Sequence, residues 1–235
     1  MAAQVYHWPM LDHVSAILFD LDGTVVDTVD LILAAHAHTF REHLAGPAPP
    51  RRTVVGNMGR PLASAFGEYV VADGQPASDR IVEAMLQTYR SFQREHYERL
   101  MRPVAGMDEA LTALGGRGYA LGVVTSKVEW MARLTLARYD LERFFPIGVF
   151  HDDTARHKPE PDPLLEAARR GGFDPSHAVY VGDSTHDMRA GRAAGMRTIA
   201  ALWGPFERED LEREHPDELA ATPSDLLTLL PKTPG

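Results

Sequence analysis

Three short apolar runs, each cut off by a polar or acidic turn, constrain this chain more than any other feature. Ala16-Ile17-Leu18-Phe19 stops at Asp20, Tyr119 to Val124 stops at Thr125-Ser126, and Ala178 to Val181 stops at Gly182-Asp183. A continuous apolar run of four to six residues leaves no face for water. It reads as a strand of a parallel sheet covered on both sides. Further short strands are expected at Ile147 to Phe150 and at Thr198 to Leu202. Helical patterns fill the gaps: Met107 to Leu114, Trp130 to Tyr139, Pro161 to Arg170 and His186 to Ala194, ended by glycines or a short connection. Strands alternating with helices make βαβ units, hence an α/β, doubly wound, Rossmann-like parallel sheet. Ligands of such sheets bind beyond the carboxyl ends of the strands, where Asp20, Thr125 and Asp183 all fall.

The stretch from Val29 to Leu100 follows another rule. It has no clear strand and three amphipathic helical segments: Leu31 to Leu44, Leu62 to Val71 and Arg80 to Leu100, with a proline-rich loop from Ala45 to Arg52. The expected organisation is a catalytic core of residues 1–28 and 101–235 with a helical cap domain, 29–100, inserted after the first strand. Pro223 to Leu230 is expected to be a last helix. The charge-dense Pro205 to His215 reads as a solvated surface segment.

Composition removes several functional classes. With no cysteine in 235 residues, disulfides, thiolate catalysis and Cys-ligated zinc are excluded. A net charge of −9 disfavours nucleic acid and anionic membrane surfaces as partners. Met1 to Leu11 has no apolar run of secretory length, and no segment approaches the roughly 20 apolar residues of a membrane helix. A cytoplasmic enzyme is the expectation.

Asp20-Leu21-Asp22-Gly23-Thr24 is the most informative string. Two aspartates two apart can face one crevice once the chain leaves the pleat, and Gly23 permits the sharp turn. One carboxylate can attack while the other moves a proton, and both suit a hard cation such as Mg2+. The same string also suits a turn with capping aspartates. In Gly182-Asp183-Ser184-Thr185-His186-Asp187, Asp183 can ligate the same metal and Asp187 can brace it; an N-cap with acidic first-turn residues is the plainer reading. Thr125 and Ser126 offer hydroxyls and N–H groups to a phosphoryl oxygen. Lys158, before Pro159, can neutralise its charge.

These four strings in this order resemble the haloacid dehalogenase-like hydrolases over nearly the whole chain. The resemblance implies Asp20 as a nucleophile forming an aspartyl-phosphate and Asp22 as general acid/base. Asp22 would also give a metal its backbone carbonyl. It further implies phosphate binding by Thr125 with Gly23, Thr24 and Ser126, charge stabilisation by Lys158, and Mg2+ held by Asp20, Asp22 and Asp183 with Asp187 supporting. Dehalogenases of this superfamily lack the second aspartate, so Asp22 points to a phosphoryl substrate. Ile32 stands where related sugar-phosphate mutases carry a hinge histidine, which argues against a mutase. Val55-Gly56-Asn57-Met58-Gly59-Arg60-Pro61-Leu62 looks like the cap loop of phosphoglycolate phosphatases and the related pyrophosphatases, with Arg60 placed over the substrate. The implied enzyme is a phosphatase of a small phosphorylated substrate, phosphoglycolate phosphatase-like, working as a monomer or homodimer. The alternatives are a pyrophosphatase, a nucleotidase or a sugar-phosphate phosphatase. A silent phosphate-binding relative has no need for Asp22 beside Asp20.

Other residues are read more plainly. His36 and His38, two apart on a helix, are expected at the surface. His151, Asp152, Asp153 and His157 are expected to shape the loop of Lys158. Trp203-Gly204-Pro205 is expected to pack the core and turn the chain.

Overall fold

The computed structural model describes residues 14–231. The reading of Met1 to Leu11, and the outermost residues of the expected core, lie outside the described residues. The first part of the chain forms β1 (Ala16–Phe19), β2 (Val26–Asp27), α1 (Val29–His43), α2 (Arg51–Gly56), α3 (Leu62–Ala72) and α4 (Asp79–Leu100). Then come β3 (Arg102–Pro103), α5 (Met107–Gly116), β4 (Ala120–Val124), α6 (Glu129–Arg138), β5 (Ile147–Val149) and α7 (Asp162–Gly171). The last part gives β6 (Ala178–Gly182), α8 (Thr185–Ala193), β7 (Arg197–Ala201), α9 (Arg208–Glu212), β8 (Glu218–Ala220) and α10 (Leu226–Leu229).

The apolar runs form the middle of one six-stranded sheet of order β5-β4-β1-β6-β7-β8, parallel at every pairing. Every residue of β1 is buried, as a strand covered on both faces must be. Its side chains alternate between two cores. Ile17 and Phe19 join one with Leu111, Val123, Val181 and Leu226; Ala16 and Leu18 join the other with Val149, Leu164 and Tyr180. Each fully buried side chain of this kind contributes about 1.5–3 kcal/mol.

Helices α1 to α4 form a separate layer, closed by Phe40, Phe66, Tyr69, Met85 and Tyr89. Both chain crossings into it are clasped by a two-residue antiparallel ribbon, Val26–Asp27 against Arg102–Pro103. That ribbon is too short to leave a sequence pattern.

The structure corrects three expectations and adds one strand. His36 is buried, not superficial: it sits among the rings of Phe40, Phe66, Tyr69 and Tyr89. His38 is half-buried and stacks on Phe92. The segment Pro205 to His215 is not simply solvated, because Phe206 and Leu211 are buried with Ile32, Val55 and Met188. Glu218–Ala220, which has no apolar run, forms the edge strand β8. An edge strand needs partners on one side only, so its sequence carries little signal. The last segment is a 3-10 turn, Pro223–Asp225, followed by α10.

Candidate active site

Strand register assembles the site. Phe19 lies level with Val123 on one side and Val181 on the other, so the chain leaves the sheet at Asp20, Thr125 and Asp183 within one residue of the same height. The sheet order reverses at β1, which makes this the crevice where open α/β sheets bind ligands.

Lys158 is the hub. It is 1% exposed, and its Nζ donates to Asp20 Oδ1 at 2.7 Å, Asp187 Oδ1 at 2.6 Å and Tyr180 Oη at 2.9 Å. Asp187 is fixed from its other side as well. Its Oδ2 accepts from the Ser184 N–H and hydroxyl, in the capping box that opens α8. Lys158 holds Oδ1 of Asp20 and leaves Oδ2 for chemistry.

Burial and charge shift these groups in opposite directions. Burial pushes the Asp20 carboxyl up to about 7, against the pull of Lys158. Asp183 is raised well above the carboxylate range by burial and by the nearby charges of Asp20 and Asp187. Burial also opposes the Lys158 ammonium, but Asp187 and Asp20 outweigh it and hold its pKa well above the ordinary value. Burial disfavours charge on Asp187 too, yet Lys158, Ser184 and Tyr180 prevail and keep its carboxyl below the usual range.

Three carboxylates face one ammonium, and an oxygen of each of Asp20, Asp183 and Asp187 lies within 4.8 Å of the others. This oxygen-only donor set suits a hard divalent cation. The surroundings are shaped around it. Thr24 Oγ1 donates to Asp183 Oδ1 at 2.6 Å, which orients that carboxylate. Gly23, at φ +88°, lies so close that a Cβ there would sit 2.6 Å from Asp183 Oδ2. Gly204 abuts Asp183 from the other side, and the Trp203 indole donates to Thr24 O at 2.9 Å. The Trp203-Gly204 turn therefore packs against Asp183 and the turn that carries Thr24.

Asp22 faces the pocket above these groups. Its Oδ1 accepts from Thr28 Oγ1 at 2.8 Å and from Lys127 Nζ at 2.6 Å. Lys127 was not foreseen in the sequence, although it directly follows Thr125-Ser126. Tyr180 was also missed, hidden as one more apolar residue of β6. Thr125 is buried at the pocket floor, where its Oγ1 accepts from the Lys127 N–H at 3.1 Å.

The helical layer closes the other side of a cavity of about 200 Å3 lined by Asp20, Asp22, Thr125, Arg60, Tyr89 and His151, among others. Ser126 lines the cavity and its Oγ donates to Gly59 O at 2.8 Å, while His186 Nε2 donates to Gly56 O at 3.2 Å, so both hold the loop of the layer. Arg60 does reach the cavity wall, but its guanidinium is paired with Glu68 and Asn57. His151 stacks on His157 at 4.2 Å, and Asp152 caps the Glu129 N–H.

A model of the haloacid dehalogenase-like hydrolases matches residues 17–201. The chain belongs to this family. It is a hydrolase of the phosphatase kind, and its fold is that of the family. Over 91% of its length it is 36% identical to pyrophosphatase PpaX of Bacillus velezensis, covering 95% of that protein. Over 92% it is 34% identical to pyrophosphatase PpaX of Bacillus pumilus, covering 96%. Among solved structures, a Streptococcus pneumoniae haloacid dehalogenase-like hydrolase superposes with a TM-score of 0.79 at 28% identity, over 93% of this chain and 99% of that one. A Haemophilus somnus protein described as a predicted phosphoglycolate phosphatase shares the fold at TM-score 0.80 and 22% identity, over 93% and 99% of the two chains. No helix among the described residues is long and apolar enough to cross a membrane.

Proposed function

We propose that this hydrolase is a magnesium-dependent phosphatase of small phosphomonoesters that works through an aspartyl-phosphate on Asp20. The observation that carries the reading is the buried cluster in which Lys158 bridges Asp20 and Asp187 beside Asp183, directly beneath Asp22 and the cavity. Asp20, Asp183 and the backbone carbonyl of Asp22 would hold Mg2+, with Asp187 bracing Lys158. When bound, Mg2+ supplies positive charge to the phosphoryl oxygens.

The chain's own groups then perform two displacements. Oδ2 of Asp20 forms a bond to phosphorus as the bond to the leaving oxygen breaks, and Asp22 gives that oxygen a proton. A water oxygen next attacks phosphorus, its proton passes to Asp22, and the Asp20–phosphorus bond breaks to release phosphate. Lys158 and the Thr125 hydroxyl offset charge on the transferring group. The helical layer, acting as a cap, excludes bulk water during transfer and opens for product release.

Inorganic pyrophosphate is the second reading, favoured by the names of the curated relatives. Phosphate release from phosphoglycolate, pyrophosphate and an aryl phosphate, each with Mg2+ and with EDTA, tests both. Turnover that needs Mg2+ and disappears in Asp20→Asn supports the chemistry. Turnover that survives EDTA, or persists in that variant, overturns it.

A further inference from the structure

Helix α4 turns one face to the cavity. Leu86, Tyr89, Arg90 and Gln93, spaced at i, i+3, i+4 and i+7, all line it. Gln93 is 2% exposed, and its Nε2 donates to Tyr89 Oη at 2.9 Å, while its buried Oε1 has no partner. Buried amide oxygens almost always find a donor, so an unpaired one on a residue of the cavity wall calls for a partner. Turning the amide over makes Tyr89 the donor and leaves Gln93 an N–H to offer. A ligand hydroxyl, both donor and acceptor, satisfies either arrangement. His36 lies against Tyr89, and its Nδ1–H donates to Ile32 O at 2.9 Å, leaving Nε2 as a further acceptor beside the same wall.

The cavity's cations differ in their commitments. Lys127 is paired with Asp22 and Arg60 with Glu68, whereas Arg90 has no ion pair among the described residues. Much of the remaining wall is carbon: Ile32, Met58, Leu62, Leu86 and Met131. Inorganic pyrophosphate has no carbon to place against these groups, whereas a few-carbon body fits a volume of about 200 Å3.

We propose that this face of α4 is the leaving-group subsite, and that it selects a small organic phosphomonoester bearing a hydroxyl and a second anionic group over inorganic pyrophosphate. This rests on the reading of Asp20 as phosphoryl acceptor. Arg90 takes the second anion, Gln93 with Tyr89 takes the hydroxyl, and the apolar wall takes the carbon chain.

The test compares kcat/KM for a three-carbon phosphorylated hydroxy acid, its analogue lacking the free hydroxyl, and pyrophosphate, all with Mg2+. For the wild-type enzyme the hydroxylated compound is expected to exceed its deoxy analogue by about tenfold or more, because the analogue leaves a buried group unpaired. It is also expected to exceed pyrophosphate. In Gln93→Leu the hydroxyl preference should fall toward one, and Gln93→Met, checked for folding by its thermal melt, should behave alike. A hydroxyl preference near one in the wild-type enzyme, a preference that survives both substitutions, or pyrophosphate as the best substrate would overturn the subsite. Absence of Mg2+-dependent turnover with all three compounds, and with an aryl phosphate, would overturn the phosphatase reading itself, so the two failures are distinct.

Discussion

Lys158 in the sheet core and His36 in the helical layer are both buried bases, yet the first is held charged and the second neutral. Lys158 has two carboxylates within hydrogen-bond reach, which outweigh the cost of burial. His36 has rings on four sides and a single backbone carbonyl, so burial wins and lowers its pKa to about 4. Surroundings, not residue type, decide whether a buried base carries charge. The core concentrates charge where phosphoryl chemistry needs it. The helical layer keeps its aromatic interior uncharged.

The contrast yields graded predictions. The largest effect belongs to Asp20→Asn, which should lower kcat by on the order of 10³-fold or more while the melting temperature changes little, because the shape is kept and a buried charge removed. Lys158→Met should abolish turnover and also destabilise by about 3–5 kcal/mol in urea, since Asp20 and Asp187 lose their shared partner. A variant as stable as the wild type would show that the core does not depend on this ion cluster.

His36 supplies the corresponding test for the helical layer. Its folded pKa of about 4 lies below the ordinary 6.5, so the unfolded chain binds more protons between these values. The stability is fully present above pH 6.5 and is lost as pH falls through about 4, on the order of 3 kcal/mol in all. Urea melts at pH 7.5 and 4.5 should diverge less for His36→Leu than for the wild type; equal divergence would show that His36 titrates normally. In the core the sign concerns metal binding. With Asp20 raised to about 7, a proton competes with the cation below that pH. Mg2+ affinity, measured by calorimetry, should therefore rise from pH 6 to 8.

The smallest effect is expected where the two regions touch. Arg94 of the helical layer lies over the Trp130 ring of the core at 4.8 Å. Arg94→Ala should cost about 0.5–1 kcal/mol and shift Trp130 fluorescence. No shift in fluorescence would mean that the contact does not form in solution.

The two regions were also unequally legible. The core announces itself because each functional residue sits where an apolar run stops; Asp20, Thr125 and Asp183 are readable from that break alone. Lys127 and Tyr180 escaped, the first as an ordinary loop lysine and the second because one hydroxyl does not interrupt an apolar strand. In the helical layer the 3.6-residue period locates α4, but the same period marks core and cavity faces alike. Gln93 and Arg90 are told apart from surface polar residues only by what lies opposite them. His36 was misread for that reason: its helix was recognised, while the four rings around it come from residues 4 to 53 positions away.

The small ribbon of Val26–Asp27 and Arg102–Pro103 gives the layer a modular character. The chain departs from the core and returns at adjacent points, so the excursion between them is a closed loop whose entropic cost grows only with the logarithm of its length. Insertions, deletions or a wholesale exchange of that excursion leave the six-stranded sheet with the same two attachment points. The scaffold for phosphoryl transfer can thus stay fixed while the part that meets the leaving group is replaced, and a chain with Asp27 joined to Arg102 by a short glycine linker is the minimal form of that architecture.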